Sequence, residues 1–317
     1  MKTMQCALTS FAVLAAAGIN TAFAEADAAA SLWAVAFVDA NTGTAVGAGG
    51  TILRTTDGGD TWKAQDSGTS VGLYRVALVD ANLGTVVGGD GTILRTEDGG
   101  DTWVPQDSGT SVALSGVSFV DANIGTVVGG DGTILRTEDG GDTWTAQDSG
   151  TSQILNAVSF VDADTGTVVG QNGTVLRTED GGVTWTRQPI PPGAVHLYAV
   201  SFVDADRGIA VGIRGNIVRT RDGGKTWRWT HNEGPWTRLY GVSFVDPDTA
   251  TAVGYNEKEN IGTILRTTDG GDTWKAQDSG TSNTLSAVSL VGADTGIVVG
   301  TNGLILRTSD GGTTWTR

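Results

Sequence analysis

Cysteine is almost missing from this chain: one residue in 317, Cys6. It lies just ahead of the N-terminal apolar run Ala7–Ile19, in a segment expected to be removed. The working chain is therefore expected to have no disulfide, no thiolate metal site and no cofactor. Basic charge is also scarce, with 20 Lys and Arg against 35 Asp and Glu, a net −15 and a pI near 4.4. Nucleic acid needs a broad basic footprint, so it is excluded as a partner. Long hydrophobic runs are lacking too. Ala7–Ile19 is too short, and too broken by Thr, Ser and Gly, to cross a bilayer, and no other stretch is long enough. With Lys2 before it and Ala22-Phe23-Ala24 after it, the run reads as a Sec-type signal peptide, residues 1–24, cleaved ahead of Glu25. No twin Arg precedes it. The expectation is an exported monomer: periplasmic, secreted, or in the thylakoid lumen of a photosynthetic source.

Aromatics make up only 7% of the residues, whereas Gly reaches 48. Gly without a strict third-residue period, among alternating Val, Ile, Leu and Thr, indicates an all-β chain with many tight turns. The stretch RTEDGGDTW occurs at Arg95–Trp103 and again at Arg136–Trp144, with near-copies elsewhere. Aligned on the closing Trp, the copies end at Trp62, Trp103, Trp144, Trp185, Trp227, Trp274 and Trp315. The intervals are 41, 41, 41, 42, 47 and 41 residues. That period predicts a single seven-bladed β-propeller over residues 25–317, each blade a four-stranded antiparallel sheet. In the third unit the strands are expected at Leu114–Val120, Gly125–Val128, Thr133–Arg136 and from Thr143. Between the middle two, Asp131-Gly132 supplies the positive φ of a tight hairpin.

Each copy contains Thr-x-Asp-x-Gly-x-Thr-Trp, the Asp-box of the bacterial neuraminidase repeat, with Asp57, Asp98, Asp139, Asp180, Asp222, Asp269 and Asp310 at its centre. Its place is the hairpin between third and fourth strands. There the carboxylate accepts turn amides and the Trp packs between neighbouring sheets, a structural role. Asp-Gly-Gly-Asp lacks the alternating acids and terminal Glu of a calcium loop. The Arg before each box (Arg54, Arg95, Arg136, Arg177, Arg219, Arg266, Arg307) is read as structural, pairing with an acidic neighbour or covering the blade edge with its stem, against the alternative of an anion-binding ring.

Specific sites are sought where the copies diverge. The connection QDSGTS (Gln65–Ser70, Gln106–Ser111, Gln147–Ser152, Gln277–Ser282) gives way to Arg187–Val200 after the fourth box and Arg228–Val242 after the fifth. In the sixth blade the hairpin between second and third strands lengthens over Gly254–Thr263. Strand reversals place all three at the end opposite the boxes. Arg207, Arg214, Arg221, Lys225, Arg228 and Arg238 concentrate positive charge in and near these stretches, with Trp229, His231, Trp236 and Tyr255; Arg221 and Lys225 fall at the box end, which lets the basic surface run along the blade rather than crown one loop cluster. These ten residues are the candidate partner contacts.

The pattern F-V-D-x-x-x-G-x-x-V-G-x-x-G-x-I/V-x-R-T-x-D-G-G-x-T-W, of which Phe119–Trp144 is one instance, resembles the blades of the photosystem II stability and assembly factor family. The resemblance runs from Leu32 to Arg317. It implies a propeller that assists a membrane or envelope protein without catalysis, through an arginine-rich patch similar in character to Arg207–Arg228. Two rival readings remain. A lectin-like propeller would use the repeated QDSGTS loops for glycans. A sialidase or glycosidase would need facing carboxylates, for which only Glu233, Glu257 and Glu259 qualify, and the Phe/Tyr-Arg-Ile-Pro stretch of bacterial sialidases is absent.

Overall fold

The computed structural model describes residues 30–193, 196–232 and 234–317. The leader assigned to residues 1–24 and the candidate acid Glu233 lie outside them. Seven sheets follow one another along the chain, six of four strands and a last of three. Blade 1 runs Leu32–Phe37, Gly43–Gly47, Ile52–Thr55 and Lys63–Gln65, with every neighbouring pair antiparallel. In blade 3 the strands are Leu114–Phe119, Gly125–Gly129, Ile134–Thr137 and Thr145–Gln147, within a residue or two of the sequence expectation. The hairpin forms as anticipated, with Asp131 at φ 53° and Gly132 at φ 70°. Two successive left-handed residues match the right-handed twist of the strands they join. Among the described residues no helix is long and apolar enough to cross a membrane.

The first strand of each blade lies innermost, against the first strands on either side, and the seven surround a central bore. Small residues make this possible. A Cβ on Gly116 would stand 3.0 Å from Ala157 Cα, and one on Gly241 2.9 Å from Ala287 Cα. Second strands are wholly buried, as GTVVG at Gly84–Gly88 and Gly125–Gly129, so they carry an unbroken apolar run rather than an alternation.

The core is divided among the seams. Val87 and Ile93 of blade 2 meet Leu114, Val127 and Leu135 of blade 3, with Trp144 packed on them. Box tryptophans occupy every seam, four of them edge-on to the Phe ending the first strand of their blade, at centroid separations of 6.0–6.2 Å. Burying one such ring removes roughly 150–250 Å² from water, worth on the order of 4–6 kcal/mol at about 25 cal/mol per Å² as an upper bound.

The ring closes by the same packing. Ala287, Ile297 and Val299 of blade 7 join Leu32, Val35 and Ala45 of blade 1 in one cluster. Phe37 N donates to Ser289 Oγ at 3.2 Å, as Phe160 N does to Ser118 Oγ at 3.1 Å within the ring. The sequence left open how the last blade acquires its outer strand. Here that strand is a single bridge, Arg307 to Thr316, with N–O distances of 2.7 and 2.9 Å.

Candidate functional site

The repeated residues form the frame. In each box the Asp accepts on both carboxylate oxygens. Asp57 Oδ1 takes Thr55 Oγ1 at 2.7 Å and Thr61 N at 2.9 Å, and Oδ2 takes Thr61 Oγ1 at 2.6 Å. Hydrogen bonds from Thr61, then Thr55, hold its pKa at about 2, and Asp98, Asp139, Asp180 and Asp269 follow the same pattern. Thr314 does the same for Asp310. Asp222 is lowered too, by Thr226 and Thr220 against the opposing effect of burial.

The arginines before the boxes are staples between blades. Arg95, Arg136 and Arg177 donate through Nη2 to Ala122 O, Ala163 O and Ala205 O in the next blade at 2.9, 2.6 and 2.7 Å. Their partners are mainly carbonyls, where the sequence suggested acids. The expected acids are met elsewhere: Arg95 also reaches Glu97 at 3.4 Å, Arg307 pairs with Asp60, and blade 5 departs from the carbonyl scheme. Arg219 instead pairs with Asp272 at 2.6 Å, and Arg221 reaches the other oxygen of Asp272 at 2.8 Å.

QDSGTS is a clamp of the same kind. Gln65 Oε1 accepts Trp103 Nε1 at 3.2 Å while its Nε2 donates to Gly99 O at 3.0 Å. Gln106, Gln147 and Gln277 repeat this on Trp144, Trp185 and Trp315. Asp66, Ser67 and Thr69 fold the loop on itself through local hydrogen bonds. The identity of these loops thus follows from seam geometry, with no ligand required. Trp62, Trp227 and Trp274, which face no such Gln amide, keep buried Nε1 groups without a partner among the described residues.

At the end opposite the boxes the three divergent connections meet. Ile213 N donates to His196 O at 3.0 Å, Gly215 N to Thr237 O at 2.7 Å, and Glu257 N to Trp236 O at 2.8 Å. Trp229 and Trp236 are 36% and 54% exposed on this face, large indoles left to solvent. Arg238 forms an ion pair with Glu257, and a hydrogen bond with Tyr240 holds its pKa above the usual value. Tyr255 lies half-buried on the lengthened hairpin opposite Arg238, His231 is half-buried in the outer strand opposite Ile217, and Arg214 is exposed on its own hairpin. The remaining candidates stand elsewhere. Arg207, paired with Asp204 at 3.6 Å, lies at the box end with Arg221, Lys225 and Arg228. The ten candidates are therefore split between two faces.

A feature that the sequence did not disclose lies on the axis of the ring. Every first strand carries a bulge at the residue that follows its Leu. These residues ring the mouth of the bore, where a cavity of 470 Å³ opens. They are Trp33, Tyr74, Ser115, Asn156, Tyr198, Tyr240 and Ser286. Trp33 and Tyr74 pack at 5.3 Å between ring centroids, and Tyr198 and Tyr240 at 5.5 Å. Burial, then the neighbouring Tyr240, pushes the Tyr198 hydroxyl above its usual pKa. The signal was in the strands: this position varies among Trp, Tyr, Ser and Asn while the preceding residue is Leu in all seven.

The sequence matches the family described as photosynthesis system II assembly factor YCF48, over residues 21–104, 63–145, 106–193 and 229–317. The chain belongs to this family. Among solved structures, "YCF48 bound to D1 peptide" is similar at a TM-score of 0.73 and 20% identity, covering 88% of this chain and 92% of that one. YCF48 from Cyanidioschyzon merolae is similar at 0.69 and 21%, over 89% and 95%. The fold alone is shared more widely: a GH74 xyloglucanase from Xanthomonas campestris is similar at 0.72 and 14%, over 90% of this chain and 53% of that one. No curated protein matches the sequence. Family membership accounts for the blade pattern and supports a protein-binding propeller.

Proposed function

We infer that this protein is an exported, non-catalytic propeller that docks a membrane or envelope protein during assembly. The observation that carries the reading is the exposure of Trp229 and Trp236 on the divergent connections, with Arg238 joined to Trp236 through Glu257. Exposed indoles next to a cation on long connections are the residues that dominate protein interfaces. Family membership supports a protein partner, since a similar propeller is described as bound to D1 peptide. Against glycoside cleavage, no carboxylate lines the mouth cavity among the described residues, and Glu257 is engaged by Arg238.

The test is a crosslinked pull-down from membrane and envelope extract, with the parent beside a Trp229→Ala/Trp236→Ala variant. The expected result is a membrane protein captured by the parent and lost from the variant. Equal capture by both, or capture only of glycoconjugates released by free sugar, overturns the reading.

A further inference from the structure

The residue after each first-strand bulge lines the bore, and in six blades it is small: Ala34, Gly116, Ala157, Ala199, Gly241 and Ala287. In blade 2 it is Arg75. This side chain is common to the 470 Å³ mouth cavity and to the 160 Å³ bore beneath it, and among the described residues it is the only charged one lining either. Its Nη1 donates to the carbonyls of Trp33 and Tyr74, at 3.2 and 3.3 Å. No ion pair with Arg75 forms among the described residues. Desolvation alone lowers its pKa, whereas Arg54, Arg136, Arg177 and Arg266 each have an acid that offsets part of that effect.

A half-buried guanidinium with no counter-charge favours an anion, because any carboxylate reaching it meets planar donors in a low-dielectric setting. Around it the walls are uneven. Trp33 and Tyr74 on one side, and Tyr198 and Tyr240 on another, offer ring surface; Ser115 and Ser286 offer hydroxyls. The cavity is of the size that encloses a small ligand or the last residues of a chain. We propose that the mouth of the bore is a binding site for a carboxylate carried on a planar or apolar body, with the carboxylate on Arg75 and the body against the paired aromatic rings. Two sources supply this chemistry, a free small carboxylic acid and the C-terminus of a polypeptide. The site is distinct from the exposed Trp229–Trp236 surface and does not depend on which protein docks there.

Calorimetric titration with 3-phenylpropionate and its amide, and with the peptide Ala-Ala-Phe as free acid and as C-terminal amide, tests the proposal. The expected result is saturable one-to-one binding of at least one free acid, with its amide weaker by about tenfold or more. Arg75→Ala, which copies the residue of four other blades, is expected to melt as the parent does and to lose the same affinity. Trp33→Ala is expected to weaken the acid severalfold. Binding of phenylpropionate alone assigns the site to small acids, and binding of the peptide alone assigns it to chain termini; either supports the proposal. Equal binding of acid and amide, an Arg75→Ala variant that binds as the parent does, or no saturable binding of any acid overturns it. Equal partner capture by the parent and the Trp229→Ala/Trp236→Ala variant, with acid binding intact, would overturn the docking assignment and leave this one standing.

Discussion

The indole Nε1 of Trp103 donates to Gln65 Oε1 at 3.2 Å across the seam between blades 1 and 2. The same amide donates to Gly99 O, so one side chain satisfies two buried groups of the next blade. Gln65→Ala is expected to lower stability by about 1–3 kcal/mol, because both groups lose their partner inside the seam. Gln188→Ala is the control. Gln188 stands at the matching position after Trp185 but donates to Thr186 O in its own blade, so its loss is expected to fall within about 0.5 kcal/mol. Urea denaturation of the two variants beside the parent checks the difference.

Acid is expected to loosen all the boxes together. Six box aspartates have folded pKa values of about 2 against an ordinary 3.8. A depressed pKa contributes stability that is present above the unfolded value and lost as pH falls toward the folded one. The melting temperature is therefore expected to be steady from about pH 7 down to about pH 5, then to drop steeply between about pH 4 and 2. A calorimetric pH series reads it directly. Asp57→Asn is expected to shallow the acid limb.

Arg214 occupies the left-handed region at φ 63°, where sister hairpins place Asp90, Asp131, Asn172 or Asn302. An exposed Arg gains nothing from that conformation and bears its cost. Arg214→Asn is expected to stabilise the fold by about 0.5–1 kcal/mol, visible as a higher melting temperature. If Arg214 contacts the partner, the same variant weakens capture while melting higher, which separates function from folding.

Asp272 is the acid that blade 6 offers to both Arg219 and Arg221. Arg219 is 11% exposed and Asp272 47%, so the pair is partly screened. Asp272→Ala is expected to cost about 1–2 kcal/mol, less at high salt. Denaturation in about 0.05 M and about 1 M salt checks both size and screening.

Period and motif made the architecture readable before any coordinates. A repeat near 41 residues ending in Trp leaves little choice beyond blades, and Asp131-Gly132 fixes its hairpin because few residues tolerate that φ. Contacts across seams were not readable. Identical Gln65 and Gln106 are as consistent with a ligand as with a clamp until the facing Trp is placed. Arg54 and its counterparts looked like partners for acids because the carbonyls they reach lie 27 or 28 residues on, in the next blade. Arg75 was hidden for another reason. Alternation along LYRVAL suggests one inward and one outward residue, but the bulge at Tyr74 turns both it and Arg75 toward the axis.

The glutamine clamps are unevenly distributed round the ring. They lock the seams from blade 1 through blade 4, and that between blades 6 and 7. Seams on both sides of blade 5 lack them, leaving Trp227 Nε1 and Trp274 Nε1 without acceptors. The closing seam between blades 7 and 1 lacks one too, Trp62 Nε1 having no acceptor among the described residues, so the clamped arcs of blades 1–4 and 6–7 are parted by blade 5 on one side and by the closing seam on the other. Blade 5 carries Arg214 and Trp229, so the blade without a glutamine clamp on either side is also the one that departs from the repeat.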